Sequence, residues 1–128
     1  MNKLEYHFEC LDGRYFLTAI NDENIIRYTI ETDIEGFESR EGELSLSESQ
    51  TFINEVKAAN IERWDREYGN ELSKIEDGIE WKVVYCVDDK EYVSKGFESY
   101  EPYGYESLIA ALKLCEEKAS YFAAGADE

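Results

Sequence analysis

The feature that most constrains this chain is a strict alternation past its midpoint. Ile79, Trp81, Val83, Tyr85 and Val87 recur at every second position. A period of two puts them on one face of a β-strand, because successive side chains point to opposite sides. Asp88-Asp89-Lys90 predicts a tight turn, and Glu91 to Glu98 a returning strand. Gly69 to Gly78, just before, reads as a polar connection, and Ser99 to Gly104, just after, as a loop with the only proline, Pro102. Then the period changes. Tyr105, Leu108, Ile109, Leu112, Cys115, Ala119 and Phe122 are spaced by three and four, which specifies a helix packed on a sheet. Ala123 to Glu128 are expected to fray.

The first third repeats the strand signal. Leu4, Tyr6, Phe8 and Cys10 alternate with Glu5, His7 and Glu9, as in a half-buried strand. Asp12-Gly13 is a strong hairpin signal, with both residues suited to positive φ. Arg14 to Ile20 predicts the return strand and Asn21 to Asn24 a second turn. Ile25 to Thr32 predicts a third strand, with Ile26, Tyr28 and Ile30 on one face. Asp33 to Glu43 reads as an exposed acidic connection, and Glu43 to Leu46 as a short strand. Ser47-Glu48-Ser49-Gln50 matches a capping box, with Ser47 as the cap and Gln50 reaching back. The helix that follows runs to about Ala59, with Phe52, Ile53, Val56 and Ala59 on one stripe. Ile61 to Tyr68 alternates loosely and predicts a further strand.

The fold class expected is therefore α+β: one domain over residues 1–128, an antiparallel sheet of about five to seven strands with two helices packed on it. Leu108, Ile109, Leu112, Trp81, Val83, Phe52 and Val56 are the expected core. Trp64, Trp81, Tyr68, Tyr85 and Tyr92 read as core filling first and as an exposed patch second.

The residues for most enzyme chemistry are missing. His7 is the only histidine, and an odd separation from Cys10 puts the two on opposite faces of their strand. It reads as an exposed strand histidine, though a cross-fold meeting with Cys86 or Cys115 stays open. The three cysteines, Cys10, Cys86 and Cys115, are odd in number and dispersed, as buried thiols in a reducing cytosol would be. A zinc site needs four Cys or His ligands, usually in close pairs. Asp33-Ile34-Glu35-Gly36 and Asp88-Asp89 read as solvated turns before weak cation sites. No phosphate-cradling glycine loop occurs. The expectation is a non-enzyme with no catalytic residue, no metal and no cofactor. Without an apolar N-terminal core or a bilayer-length apolar run, no signal peptide or membrane span is expected, and the cytoplasm is the expected location.

Charge is the outlier. Thirty acids against 13 bases give a formal net charge of −17, where about 2 to 8 in magnitude suffices for solubility. From Asp22 to Glu48 the acids are Asp22, Glu23, Glu31, Asp33, Glu35, Glu38, Glu41, Glu43 and Glu48, against Arg27 and Arg40. A compact domain of this size is roughly 35 Å across, and duplex DNA of that length carries roughly 20 charges. The protein's charge is of that magnitude. Such a surface disfavours direct binding to nucleic acid or anionic lipid and suits a basic protein. The alternative is a solvated acidic surface with no target.

The stretch Trp64-x-x-x-Tyr68, Asp77-Gly78-x-x-Trp81, Gly96, Pro102 and a leucine-bearing helix around Leu108 resembles a loose group of small bacterial proteins. They have no settled activity and often come from Gram-positive hosts and their mobile elements. The resemblance covers residues 47 to 115, and in that group the Asp-Gly-x-x-Trp segment opens a strand. Here Pro102 follows Ser99-Tyr100-Glu101, where the group tends to carry Asn before an aromatic or small residue. The resemblance implies a bacterial or phage setting and no mechanism.

The function expected is a non-enzymatic acidic inhibitor of a basic protein, a nuclease effector or a toxin. It would act in the manner of anti-CRISPR and other anti-defence proteins, by nucleic-acid mimicry. Its contact residues would be Glu31, Asp33, Glu35, Glu38, Glu41 and Glu43, with Tyr100 and Tyr103 as aromatic contacts. Tyr105 sits beside those two tyrosines and reads as part of their loop. An immunity protein neutralising a cognate toxin, or a housekeeping interaction domain, is the alternative. A homodimer stays compatible with either.

Overall fold

The computed structural model describes residues 1–69, 78–97 and 100–126, without the side chains of 117–126. Most of the connection expected from Gly69 to Gly78 lies outside the described residues, as do Glu98, Ser99, Asp127, Glu128 and the side chains of Ala119 and Phe122.

The described residues form an α+β fold, one sheet of seven strands with two helices. The strands are β1 (Lys3–Cys10), β2 (Gly13–Asp22), β3 (Ile25–Thr32), β4 (Arg40–Glu43), β5 (Glu67–Tyr68), β6 (Glu80–Val87) and β7 (Lys90–Phe97). The helices are α1 (Leu46–Ala59) and α2 (Tyr105–Ala126). Across the sheet the order is β4-β3-β2-β1-β6-β7-β5. β1 is thus central, pairing antiparallel with β2 and with β6. All pairings are antiparallel but one, the short parallel contact of β5 with β7.

One face of the sheet is covered. Leu4, Leu17, Ala19, Ile26, Tyr28, Ile30, Trp81, Val83 and Tyr85 point to the helices and are buried. Phe52, Val56 and Ala59 of α1 and Leu108, Ala111, Leu112 and Cys115 of α2 meet them. Ile109, expected in the core, is only partly buried at its margin. Ser49 begins α1 against β3, its Oγ accepting the Ile26 N–H at 2.9 Å. At the other end of α1, a Cβ on Gly104 would collide with the Ala59 carbonyl, and φ there is +94°. Only glycine lets the start of α2 approach the end of α1 so closely.

Several boundaries differ from the sequence expectation. The helix cap is Ser45, not Ser47: its Oγ accepts the Glu48 N–H at 3.1 Å, and Glu48 Oε1 accepts the Ser45 N–H at 2.9 Å. A carboxylate at that position beats the Gln50 amide because it also faces the positive end of the helix dipole. Buried Leu44, bonded through its N–H to the Ile26 carbonyl, fixes the chain just upstream. The short strand accordingly lies earlier, at Arg40–Glu43, and not at Glu43 to Leu46. In the first hairpin the turn residues are Leu11 and Asp12; Gly13 pairs with Cys10 as the first residue of β2. In the second, Glu23 and Asn24 take φ of 51° and 69°, the left-handed geometry a two-residue hairpin favours. Ile61 to Tyr68 is not one strand. Asn60 ends α1 in a left-handed conformation, Ile61–Arg63 forms a 3-10 turn, and only Glu67 and Tyr68 pair. Finally, α2 stays helical through Ala126, past the expected fraying point at Ala123.

Candidate partner-binding surface

The uncovered face of the sheet is laced with ion pairs. Lys3 meets Glu5 at 3.0 Å, Arg14 meets Glu9 at 3.5 Å, and Lys95 meets Glu67 at 3.5 Å. Acid and base alternate across its middle, so little net field arises there. The edge built from β3 and β4 is different. Its stretch from Asp22 to Glu48 has two bases, and both are engaged locally. Arg27 pairs with Asp22 at 3.3 Å and Glu43 at 3.8 Å, and Arg40 with Glu38 at 2.7 Å. Glu23, Glu31, Glu35 and Glu41 are exposed and make no ion pair among the described residues. On the β6–β7 side, by contrast, Lys82, Lys90 and Lys95 intersperse Glu80, Asp88, Asp89 and Glu91.

The expected contact residues fall into two groups. Glu31, Glu41 and Glu43 lie on the open side of the edge strands, with Glu41 opposite Thr29 and Glu43 opposite Arg27. Asp33, Glu35 and Glu38 lie in the loop between β3 and β4. Asp33 has a second task there. Its Oδ1 accepts the Arg14 N–H at 2.7 Å, and Thr32 Oγ1 donates to the Arg14 carbonyl at 2.8 Å. Ser39 Oγ accepts the Thr32 N–H at 3.0 Å. The loop is therefore pinned at both ends. Gly13 takes φ +138°, which favours glycine, and a Cβ there would also displace the Asp33 carboxylate from this clasp.

Tyr100 and Tyr103 sit elsewhere. They follow β7, five strand spacings from β4, or roughly 24 Å at about 4.8 Å per strand. Both are exposed, Tyr103 almost wholly. The Trp64 indole N–H donates to the Tyr103 carbonyl at 3.1 Å and to the Ala59 carbonyl at 2.8 Å, which sets the loop's position. Tyr105 is not in that loop. It opens α2, is buried, and its hydroxyl lies 2.6 Å from that of Tyr6. Trp81 is the hub of this region, with ring centroids at 5.2 Å from Tyr105, 5.8 Å from Tyr68 and 6.1 Å from Trp64. These aromatics fill the core and do not form an exposed patch.

A cleft of about 590 Å³ opens on the helix-covered side, at the end of the sheet where the β1–β2 turn and the β3–β4 loop come together. Tyr6, Phe8, Tyr15, Ile34, Ile109 and Leu112 line it, and Gly78 and Ile79 close one side. The Tyr15 hydroxyl donates to Glu116 Oε1 at 2.7 Å within it. Burial drives that phenol far above its ordinary pKa of 10, with the Glu116 carboxylate adding to the rise, so it stays a donor. Leu11 and Phe37 stand at the mouth. Neither is marked by periodicity; the available signal is a lone apolar residue inside a polar turn or an acidic connection.

His7 is half-buried and not an exposed strand residue. Its ring lies tilted against that of Phe16, 3.9 Å between centroids, on the open face of the sheet. Its strand partner on β6 is Lys82, while Cys86 lies opposite Lys3, four residues along. Cys115 is buried on α2, and burial pushes its thiol pKa up to about 12. Cys10 and Cys86 are half-buried and not fully buried as expected; burial also raises the Cys86 thiol. Among the described residues no three His, Cys, Asp or Glu side chains converge as a metal site requires. None of the described helices is long and apolar enough to cross a membrane. No known protein family and no curated protein sequence matches this chain.

Proposed function

We propose that this protein is a non-enzymatic acidic binder that recognises a basic surface on another protein, a nuclease effector or a toxin. It would do so in the manner of an anti-defence inhibitor that stands in for nucleic acid. What supports the reading is the scarcity of free base along the β3–β4 edge, where nine acids meet two arginines. The two bases of the β3–β4 edge are consumed by local ion pairs, and Glu23, Glu31, Glu35 and Glu41 face solvent around them. Acid that is interspersed with lysine on the β6–β7 side is nearly unopposed here. A field of this kind steers a cationic partner before contact, and salt screens it.

The test is capture of basic proteins from a bacterial lysate at low and high salt, with the wild-type chain and with Glu31→Lys, Glu41→Lys and Glu43→Lys combined. Capture that falls with salt and is lost in the charge-reversed chain is expected. A complex indifferent to both changes would remove the mimicry argument. A captured toxin, as opposed to a nuclease effector, would identify an immunity protein.

A further inference from the structure

The cleft is apolar within and acidic at its rim. Two apolar side chains at its mouth face solvent, Leu11 at 99% exposure and Phe37 at 55%. Phe37 does not dangle. It packs edge-on against Tyr15 at 6.3 Å, its N–H bonds to the Ile34 carbonyl, and its loop is clasped to β2 through Asp33 and Thr32. The fold thus holds a large apolar side chain half in solvent at the mouth of the cleft. Asp12, beside Leu11, and Glu116, bonded to the Tyr15 hydroxyl, line the cleft, while exposed Glu35 and Glu38 flank Phe37 in the chain, Glu38 paired with Arg40. Lys113 is the one base among the described lining residues.

An apolar floor with an acidic rim selects its occupant by charge. An acidic segment is repelled, and a neutral apolar one leaves the rim unanswered. A segment presenting an apolar side chain between lysines or arginines satisfies both parts. We infer that this cleft is the anchor for a cationic amphipathic segment of the protein partner, an inference that rests on the basic-surface reading above. Leu11 and Phe37 take the apolar side chain, and the exposed carboxylates Asp12 and Glu35 take the flanking charges.

The test is an NMR titration of the full chain with synthetic peptides. One has leucines and lysines at helical spacing; a second keeps the lysines and replaces every leucine by serine; a third keeps the leucines and replaces every lysine by serine. The leucine–lysine peptide should shift the amides of Leu11, Ile34, Phe37 and Ile79. It should bind at least about tenfold tighter than the serine–lysine peptide, as burial of one or two large apolar side chains implies. The double variant Leu11→Ser, Phe37→Ser should abolish that advantage and leave serine–lysine binding unchanged. Both side chains are exposed, and circular dichroism checks that the variant stays folded. Equal binding of the two lysine peptides, without shifts at Leu11 and Phe37, overturns the anchor while charge recognition stands. Equal binding of the lysine-free peptide in the cleft overturns the cationic preference. Absence of binding by either lysine peptide at low salt overturns both the anchor and the reading beneath it.

Discussion

Asp33 Oδ1 accepts the backbone N–H of Arg14 at 2.7 Å and so ties the β3–β4 loop to the start of β2. The residue is both a structural clasp and one of the charges on the acidic edge, and substitution separates the two roles. Asp33→Ala removes the acceptor and should lower stability to urea by about 1 kcal/mol. Asp33→Asn keeps an acceptor at that place and should unfold almost as the wild type does. If its charge serves recognition, the asparagine variant weakens salt-sensitive capture without any loss of stability.

The helix cap allows a sharper comparison. Ser45→Ala should cost about 1 kcal/mol, because the Glu48 amide loses its cap. Ser47, two residues further on, is exposed and gives up only a 3.3 Å hydroxyl contact with Ser45, so Ser47→Ala should stay within about 0.5 kcal/mol. Urea unfolding of the two variants decides it, and a larger effect at Ser47 would contradict the cap assignment.

His7 should titrate below the ordinary 6.5. Burial lowers its pKa; the Glu5 carboxylate opposes the fall and Lys82 adds to it. The unfolded chain then binds the proton more readily than the folded one. The stability linked to His7 is present above pH 6.5 and is lost as pH falls through 6.5 toward the folded pKa. The imidazole proton resonances should show the low midpoint. His7→Gln should flatten the fall in stability between about pH 7 and the folded pKa. A midpoint at or above 6.5 would mean that Glu5 outweighs burial.

The surplus of acid should itself strain the compact state. With a formal charge of −17, raising sodium chloride from about 0.02 M to about 0.5 M shortens the screening length from above 20 Å to about 4 Å. The melting temperature should rise across that range, since self-repulsion is the interaction being screened. A flat or falling response would show that the local ion pairs, which salt weakens, outweigh the repulsion.

Where an element buries one face, its pattern was readable in the chain. β3 occupies Ile25–Thr32 as the alternation of Ile26, Tyr28 and Ile30 requires, and β6 and β7 follow the alternation around Asp88-Asp89. The misreadings cluster where competing local signals were close in strength. Ser45-x-x-Glu48 and Ser47-x-x-Gln50 are both capping boxes, and the burial of Leu44 selected the first. Glu67 and Tyr68 form a strand only because β7 offers them an edge.

The candidate surface divides in the same way. The acid-rich run from Asp22 to Glu48 was visible as composition, and exposed carboxylates are the ordinary fate of such a run. That this run would lie at an edge of the sheet was not visible, because β3 and β4 reach the edge only through the strand order of the whole sheet. That order also carries Tyr100 and Tyr103 to the far side and sets Leu11 and Phe37, 26 positions apart in the chain, at one cleft.

Period and local chemistry determined which segments are strands and helices, since both depend on neighbours a few residues away. Which faces meet, which edge stays open and which side chains converge depended on pairing between distant segments, and only the folded chain decided that.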